Sequence, residues 1–179
     1  MPSIKKLSGS AWVFGDLLDV DWEIISFANL KMLKEKGIPW TEEELGKYCM
    51  TNVNPEFPKQ VKKGDFIVAG ENMGYGHDHD AACISIKGAG IAAVLCESTN
   101  GNFHRNSIHH GLPVCVCKGI KEKVKQGDKL EVELAKGTVK NLTTDEVLPF
   151  PPIPDFLIEM LEAGGLYPQL KKQIKEGKF

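Results

Sequence analysis

The chain of 179 residues is 42% hydrophobic and 26% charged and has a formal net charge of −2, as is typical of a soluble globular protein. It has no basic block and no run near the roughly 20 apolar residues that span a bilayer, so neither nucleic acid nor a membrane is an expected partner. We expect one domain over residues 1–179, with a core at about 9–148 and a helical tail at 153–179. The first residues lack the apolar stretch of a signal peptide, which favours a cytoplasmic location.

The first half of the chain predicts one strand and two helices. Residues 11–14 are apolar and predict a short buried strand. Residues 23–36 predict an amphipathic helix that carries Phe27 on its buried face and ends at a glycine. Residues 41–44 resemble a capping box and predict the start of a second, short helix.

From residue 66 onward, strands and helices alternate. Predicted strands at 66–69, 91–96 and 113–117 are separated by predicted helices at about 80–87 and 103–110. This alternation is typical of parallel strands joined by helical crossovers, and it predicts an α/β fold.

Beyond residue 127 the pattern changes to that of an antiparallel hairpin. Residues 129–134 alternate between polar and apolar side chains, and residues 138–142 follow after a glycine turn. The proline-rich residues 148–154 predict a stiff connector into a helix. A helix at 156–161 and a lysine-rich terminal helix complete the prediction.

The five cysteines are interpreted as reduced thiols of the core. Their count is odd and their spacing fits no small disulfide scaffold, which agrees with a cytoplasmic location. Cys115 and Cys117 lie on one predicted strand and would supply only two ligands to a metal cluster. Free cysteines are usually buried.

Residues 70–80 are the most informative segment. Their three glycines join the strand at 66–69 to the following helix, at whose start backbone N–H groups favour anions. Residues 77–80 read His-Asp-His-Asp and can carry protons or hold a metal. The segment therefore predicts a binding or catalytic loop.

Arg105 is the single arginine of the chain, against 21 lysines. Arginine can hold a carboxylate or phosphate with two parallel hydrogen bonds, whereas lysine offers a point charge. An anion clamp built by this chain therefore has at most one guanidinium group.

Three segments together resemble the small subunit of 3-isopropylmalate dehydratase, which is equivalent to the swivelling domain of aconitase. Gly15-Asp16-Leu17-Leu18-Asp19-Val20-Asp21 resembles the opening G-D-x-x-D-x-D motif of that family. Residues 63–76 resemble its strand and glycine loop, and residues 103–113 resemble its F-x-R-N-x-x-x-x-G-L-P segment. The resemblance implies a three-layer swivelling β/β/α domain.

The family dehydrates and rehydrates hydroxy-acids on a 4Fe–4S cluster that belongs to a large subunit. The resemblance thus implies a hydro-lyase subunit that is active only with a dehydratase large subunit and that holds no cofactor itself. A small hydroxy-carboxylate is the implied substrate. The isolated chain could associate with copies of itself through the surface meant for its partner.

The sequence departs from the family at the catalytic loop. The family reads Gly-Ser-Ser-Arg-Glu-His where this chain reads Gly76-His77-Asp78-His79-Asp80-Ala81. In the family one of these serines is the catalytic base and the arginine holds a substrate carboxylate. Further family arginines, expected within residues 25–29 and near 100–102, are also replaced. Ordinary 3-isopropylmalate is therefore not the expected substrate.

The replacing residues supply a hypothesis for the chemistry. His77 would remove the proton, assisted by Asp78, and a protonated His79 would donate to one substrate carboxylate. Alternatively, the aspartates only cap a helix beside solvated histidines. A third interpretation is a metal site that uses both histidines directly. A non-catalytic relative that kept the fold and binds or senses a metabolite is the competing function.

Four residues are candidates for substrate binding. Asp21 matches an aspartate of the family's active site, although it could equally cap the following helix. Gly74 and Gly76 would present backbone N–H groups to the substrate. Arg105 matches the F-x-R-N segment, where it either contacts substrate or holds the glycine loop.

Overall fold

The computed structural model describes residues 6–178, in which seven strands form one mixed sheet in the order β4-β3-β2-β1-β5-β6-β7. The strands are β1 (Lys6–Val13), β2 (Phe66–Ala69), β3 (Ala93–Cys96), β4 (Val114–Val116), β5 (Lys129–Glu133), β6 (Thr138–Asn141) and β7 (Val147–Pro149). Within the same residues the helices are α1 (Phe27–Glu35), α2 (Glu42–Gly46), α3 (Phe57–Gln60), α4 (Ala81–Gly88), α5 (Gly101–His109), α6 (Ile120–Lys123), α7 (Asp155–Glu162) and α8 (Leu166–Lys175). A π-helical turn, Val20–Ile24, precedes α1.

The predicted parallel pairing is confirmed. Strands β1 to β4 run parallel, with α4 and α5 as crossovers between β2, β3 and β4. All four residues of β2 and all four of β3 are buried, as expected for parallel strands covered on both faces.

The predicted hairpin is also confirmed, since β5 and β6 pair in antiparallel fashion and β5 pairs with β1. The connector predicted at residues 148–154 begins within β7, which adds an edge strand to β6. The strand ends in Pro149, a residue that sheets accept at an edge because it cannot donate to a neighbouring strand.

Two buried clusters divide the molecule into three layers. One cluster joins the helices to one face of the parallel strands, including Ile67 and Val94. The other joins the opposite face, including Phe66 and Leu95, to apolar side chains of the antiparallel strands and of α7. The curled sheet thus packs on itself beneath a helical layer, which is the β/β/α arrangement expected from the sequence.

The helix predicted over residues 23–36 is interrupted. The π-helical turn ends at Ile24, Ile25 is extended, and α1 begins after Ser26, whose hydroxyl accepts a hydrogen bond from the backbone N–H of Asn29. The break changes the orientation of Phe27, which the periodicity placed in the core and which is 53% exposed in the structure.

All five cysteines are free and buried, which confirms their interpretation as core thiols. Within residues 6–178, no helix is both long and apolar enough to cross a lipid bilayer.

A buried carboxylate fastens β1 to the segment that enters β2. Asp65 accepts hydrogen bonds from the backbone N–H of Ser10 at 2.9 Å, the indole N–H of Trp12 at 3.0 Å and the backbone N–H of Lys62 at 2.9 Å. Burial raises the pKa of Asp65, but these hydrogen bonds outweigh burial and the net pKa lies below 3.8. The stabilisation is fully present above the usual pKa of 3.8 and is lost as the pH falls through the lower pKa of the folded state.

We predict that Asp65→Asn lowers the free energy of unfolding by about 2 kcal/mol, because the amide NH₂ group cannot accept from the donors that face it. Urea denaturation measures the change. The matched control is Glu35→Gln, an exposed acid 3.9 Å from Lys31, for which we expect less than about 0.5 kcal/mol. A loss for Asp65→Asn no larger than that of the control would contradict the prediction.

Candidate active site

The candidate site lies where the loops that follow β1 and β2 meet. The two strands are parallel neighbours, so their carboxyl ends reach the same edge of the sheet. Backbone hydrogen bonds then join the loops, from Leu17 N to Glu71 O at 2.7 Å, from Val20 N to Tyr75 O at 2.7 Å and from Gly74 N to Leu18 O at 3.0 Å. This pairing brings the opening aspartate motif against the glycine loop.

Asp21 binds both histidines of the loop. One carboxylate oxygen lies 2.6 Å from Nδ1 of His77 and also accepts the backbone N–H of His77 at 3.1 Å. The other oxygen lies 2.9 Å from Nε2 of His79. The side chain of Asp21 is 12% exposed and that of His79 19%, whereas that of His77 is 80% exposed. His77 therefore presents its free ring edge, with Nε2, to solvent.

The interaction between His77 and Asp21 favours the charged form of each side chain. The hydrogen bond that His77 donates to Asp21, reinforced by the negative charge of Asp21, raises the pKa of His77 above its usual 6.5. Burial raises the pKa of Asp21, but hydrogen bonds from His77 and His79 reverse the effect, so its pKa is lowered. Asp21 is thus an ionised acceptor that fixes His77 with Nε2 facing outward.

His79 is bound to Asp21 through one ring nitrogen and is buried at the other. Its Nε2 faces Asp21, and its Nδ1 is buried without a hydrogen-bond partner among residues 6–178. Nε2 is therefore occupied by Asp21 and Nδ1 is enclosed, so His79 positions Asp21 in this structure. Its expected role as a carboxylate donor remains a prediction.

Asp78, which the sequence suggests as the assistant of His77, contacts a different side chain in the structure, and its assistance remains a prediction. Its carboxylate accepts a hydrogen bond of 2.7 Å from the side-chain amide of Asn106 on α5. Arg105, the neighbour of Asn106, is exposed and donates to Asn102 on its own helix. A direct role of Arg105 in substrate binding remains a prediction.

The helix-capping alternative for Asp21 applies to Asp19 instead. The carboxylate of Asp19 accepts the backbone N–H of Asp21 at 2.6 Å and caps the π-helical turn. The backbone N–H of Asp19 donates in turn to the carboxylate of Glu23 at 2.9 Å. Because Asp19 caps the turn, the carboxylate of Asp21 is free to bind the histidines.

The two glycines permit the close packing of the loop. Gly74 has a φ of +77°, and a Cβ atom there would lie 2.1 Å from the ring of Phe103. Gly76 has a φ of +112°, and its Cβ would lie 3.0 Å from carboxylate oxygens of Asp19 and Asp21. Both positions require glycine for this geometry. Substrate binding through their N–H groups remains a prediction.

An open pocket adjoins the site at the N-terminus of α4. It has a volume of about 500 Å³ and is lined by Trp40, Asp78, His79, Asp80, Ala81, Ile84 and Asn106. Asp80 stands at the cap position, but its side chain makes no capping hydrogen bond. The first N–H groups of α4 therefore lack a side-chain cap, and a helix N-terminus is favourable for a carboxylate.

The donor groups do not build a metal or cluster site in this chain. Among residues 6–178, no three His, Cys, Asp or Glu side chains converge on a point that a metal could occupy. Burial raises the pKa of Cys49, Cys83 and Cys96 to about 12 and disfavours the thiolates that ligate iron.

Two neighbours of the site were not anticipated from the sequence. Asn106 was noted only within a family segment, yet it binds Asp78. Phe27 places its ring centroid 6.1 Å from those of His77 and His79. Ser26 is the signal in the sequence that could have indicated the exposure of Phe27. A capping serine marks the start of a new helix, and a new start changes which residues face the core.

The fold defines a swivelling-domain subunit, and its candidate site joins one carboxylate to two histidines. Comparison with known proteins is consistent with that class. The chain is 46% identical over 171 residues to the isopropylmalate/citramalate isomerase small subunit of Methanocaldococcus jannaschii, with 95% of this chain and 96% of the relative covered. It is 43% identical over 167 residues to 3-isopropylmalate dehydratase small subunit 1 of Methanopyrus kandleri, with coverages of 93% and 94%.

A solved structure extends the similarity to the fold. The crystal structure of a 3-isopropylmalate dehydratase from Methanocaldococcus jannaschii superposes with a TM-score of 0.84 at 35% identity, covering 97% of this chain and 99% of that chain. No family model matches the sequence. The chain belongs to the 3-isopropylmalate dehydratase small-subunit family and is a hydro-lyase small subunit.

We predict that Asp21→Asn lowers the pKa of His77 toward 6.5, because the substitution removes the negative charge that stabilises the imidazolium. Titration of the His77 ring protons by NMR in the isolated chain measures the shift. Asp78→Asn is the matched control and should leave the pKa of His77 nearly unchanged, since Asp78 is bound to Asn106. Equal shifts in the two variants would show that the pairing with Asp21 does not control His77.

Proposed function

We propose that this hydro-lyase small subunit acts with a dehydratase large subunit on a small hydroxy-acid other than ordinary 3-isopropylmalate. His77 is the proposed base. The observation that carries the proposal is the exposed Nε2 of a histidine whose Nδ1 is bound by a buried carboxylate.

The pair of Asp21 and His77 suits proton removal. When Nδ1–H donates to Asp21, the neutral imidazole has its lone pair on Nε2, where it can accept a proton from carbon. The negative charge of Asp21 stabilises the imidazolium that forms and holds the ring in place. His77 occupies a serine position of the family, and a histidine accepts a proton near neutral pH without the activation that a serine requires.

The proposed partner holds the cofactor. A 4Fe–4S cluster bound in the large subunit, as in the family, would supply Lewis-acid chemistry for the substrate hydroxyl group. The buried thiols of this chain fit that division, since they offer no ligand at the site. Four large apolar side chains near the site, Leu17, Trp22, Phe27 and Tyr75, are more than half exposed and support a protein partner on this face.

The charges of the site support a substrate with fewer carboxylates facing this chain. Asp19, Asp21 and Asp78 surround the loop, while Arg105 binds Asn102 on its own helix. Against these negative charges, the N-terminus of α4 is the favourable feature for one carboxylate. The similarity to an isomerase named for citramalate supports a malate with a small substituent as one candidate.

We predict that His77→Ala in the assembled enzyme lowers kcat by about 10²- to 10⁴-fold, the range typical of a lost general base. Steady-state kinetics with an excess of small subunit measure the loss. His109→Ala, at an exposed histidine of α5, is the control and should keep kcat within about twofold. If His77→Ala left turnover within a few-fold of wild type, the base assignment would fail.

The pH profile separates a base from a structural histidine. Because the pKa of His77 is raised and the neutral form is the base, kcat/KM should rise with pH through a value above 6.5. In Asp21→Asn this limb should move to lower pH. A limb that does not move would indicate that another group titrates.

We predict that 3-isopropylmalate, which has two carboxylates, is at least about tenfold poorer in kcat/KM than 3-hydroxybutanoate, which has one. One missing carboxylate clamp corresponds to a loss of this order or more for the substrate that needs it. Spectrophotometric detection of the unsaturated product measures each rate in the assembled enzyme. A result in which 3-isopropylmalate is the best substrate would contradict the proposal.

A further inference from the structure

The His-Asp-His-Asp segment, residues 77–80, is held in place by its side chains. Among residues 6–178, no backbone N–H of residues 77–79 donates to a backbone carbonyl. The two histidines bind Asp21 on one side of the segment. The two aspartates contact helix α5 on the other side. Successive side chains therefore alternate between two supports, the loop after β1 and α5.

The contacts with α5 come from one face of that helix. Asn106 donates from its side-chain amide to a carboxylate oxygen of Asp78 at 2.7 Å. His110, the residue at the C-terminal cap of α5, places Nε2 3.3 Å from a carboxylate oxygen of Asp80. Asn106 and His110 are four residues apart, and residues with this spacing share a helix face. One face of the helix thus contacts both aspartates in chain order.

The same face of α5 also packs against the glycine loop. Phe103 lies three residues before Asn106, and a Cβ atom at Gly74 would lie 2.1 Å from its ring. Phe103 is only 4% exposed and belongs to the core, so α5 is a fixed support. Because residues 77–79 have no backbone hydrogen bonds of their own to the sheet or to a helix, releasing Asp78 would move the segment and not the helix.

We propose that Asn106 is a positioning residue that fixes His77 for proton removal by holding Asp78 against α5. The inference rests on the proposed function and deepens it, since it lets Asp78 assist the base through the backbone rather than through a direct hydrogen bond. One oxygen of Asp21 accepts both the ring Nδ1–H and the backbone N–H of His77, so both bonds require the backbone to stay in place. A displacement of about 1 Å can lower the rate about 100-fold.

The experiment exchanges the two partners of the hydrogen bond on α5. Asn106→Asp places a carboxylate against that of Asp78, and their repulsion should displace residues 77–79. The double variant with Asp78→Asn and Asn106→Asp restores the bond with donor and acceptor exchanged. Asn102→Asp is the matched control. It makes the same change one turn earlier on α5, at an exposed position where the new carboxylate can still accept from Arg105.

The first readout is the ring of His77 in the isolated chain, followed by nitrogen NMR. In wild type the neutral ring should carry its proton on Nδ1, which faces Asp21. In Asn106→Asp we expect exchange between both tautomers, and in the double variant a return to Nδ1–H. Asn102→Asp should give the wild-type signal, as should Asp78→Asn alone, which keeps an amide oxygen that accepts from Asn106. Urea denaturation verifies that each variant is folded.

The second readout is turnover in the complex with the large subunit, at an excess of small subunit. We expect Asn106→Asp to lower kcat about 10- to 100-fold and to change KM by no more than about threefold, because a displaced base affects the chemical step. The double variant should recover kcat to within about fivefold of wild type, and Asn102→Asp should stay within about twofold.

Three results would overturn the inference. A wild-type ring signal in folded Asn106→Asp would show that His77 does not depend on this contact. A double variant that recovers neither readout would show that the hydrogen bond is not the cause, and a change in KM alone would assign Asn106 to substrate binding. If His77→Ala kept turnover near wild type while the ring of His77 still followed these substitutions, the base assignment would fail and the positioning by Asn106 would stand.

Discussion

The geometry of the site depends on one carboxylate, that of Asp21. A carboxylate that is mostly buried is costly unless its oxygens accept hydrogen bonds, and those of Asp21 accept them from the backbone N–H of His77 and from the rings of His77 and His79. The charge is therefore stable only while the two loops stay together. Moving the loop after β2 away from Asp21 would leave a buried charge without partners, so the same interaction orients the histidine and holds the loops in contact.

The sheet makes this contact possible. Strands β1 and β2 are parallel neighbours, so the loops that leave them start side by side and are joined by backbone hydrogen bonds. Asp65 secures the opposite end of the same pair through three donors. Each end of the β1–β2 pair thus has a carboxylate that joins two chain segments. Asp65 holds the two strands together, and Asp21 holds the two loops of the site together.

The sequence predicted those features that depend on local periodicity. The parallel strands, the hairpin and the buried thiols have signals within a few residues, and the structure confirms them. The partner of His77 has no such signal, because Asp21 lies 56 residues away in the sequence. Local reasoning favours Asp78 as the partner, since it is adjacent to His77. Phe27 matches the helical period of its neighbours, so its exposure could not be read without knowing that Ser26 starts a new helix.

The exchange of a serine and an arginine for histidines and aspartates changes what this wall of the site can do. Asp21 shares its charge with two histidines, Asp78 accepts a hydrogen bond from the neutral amide of Asn106, and no arginine stands in the loop. Under the proposed function, a site with this balance of charges repels a second carboxylate and moves a proton at neutral pH. The positive charge that a substrate anion needs would then come chiefly from the large subunit.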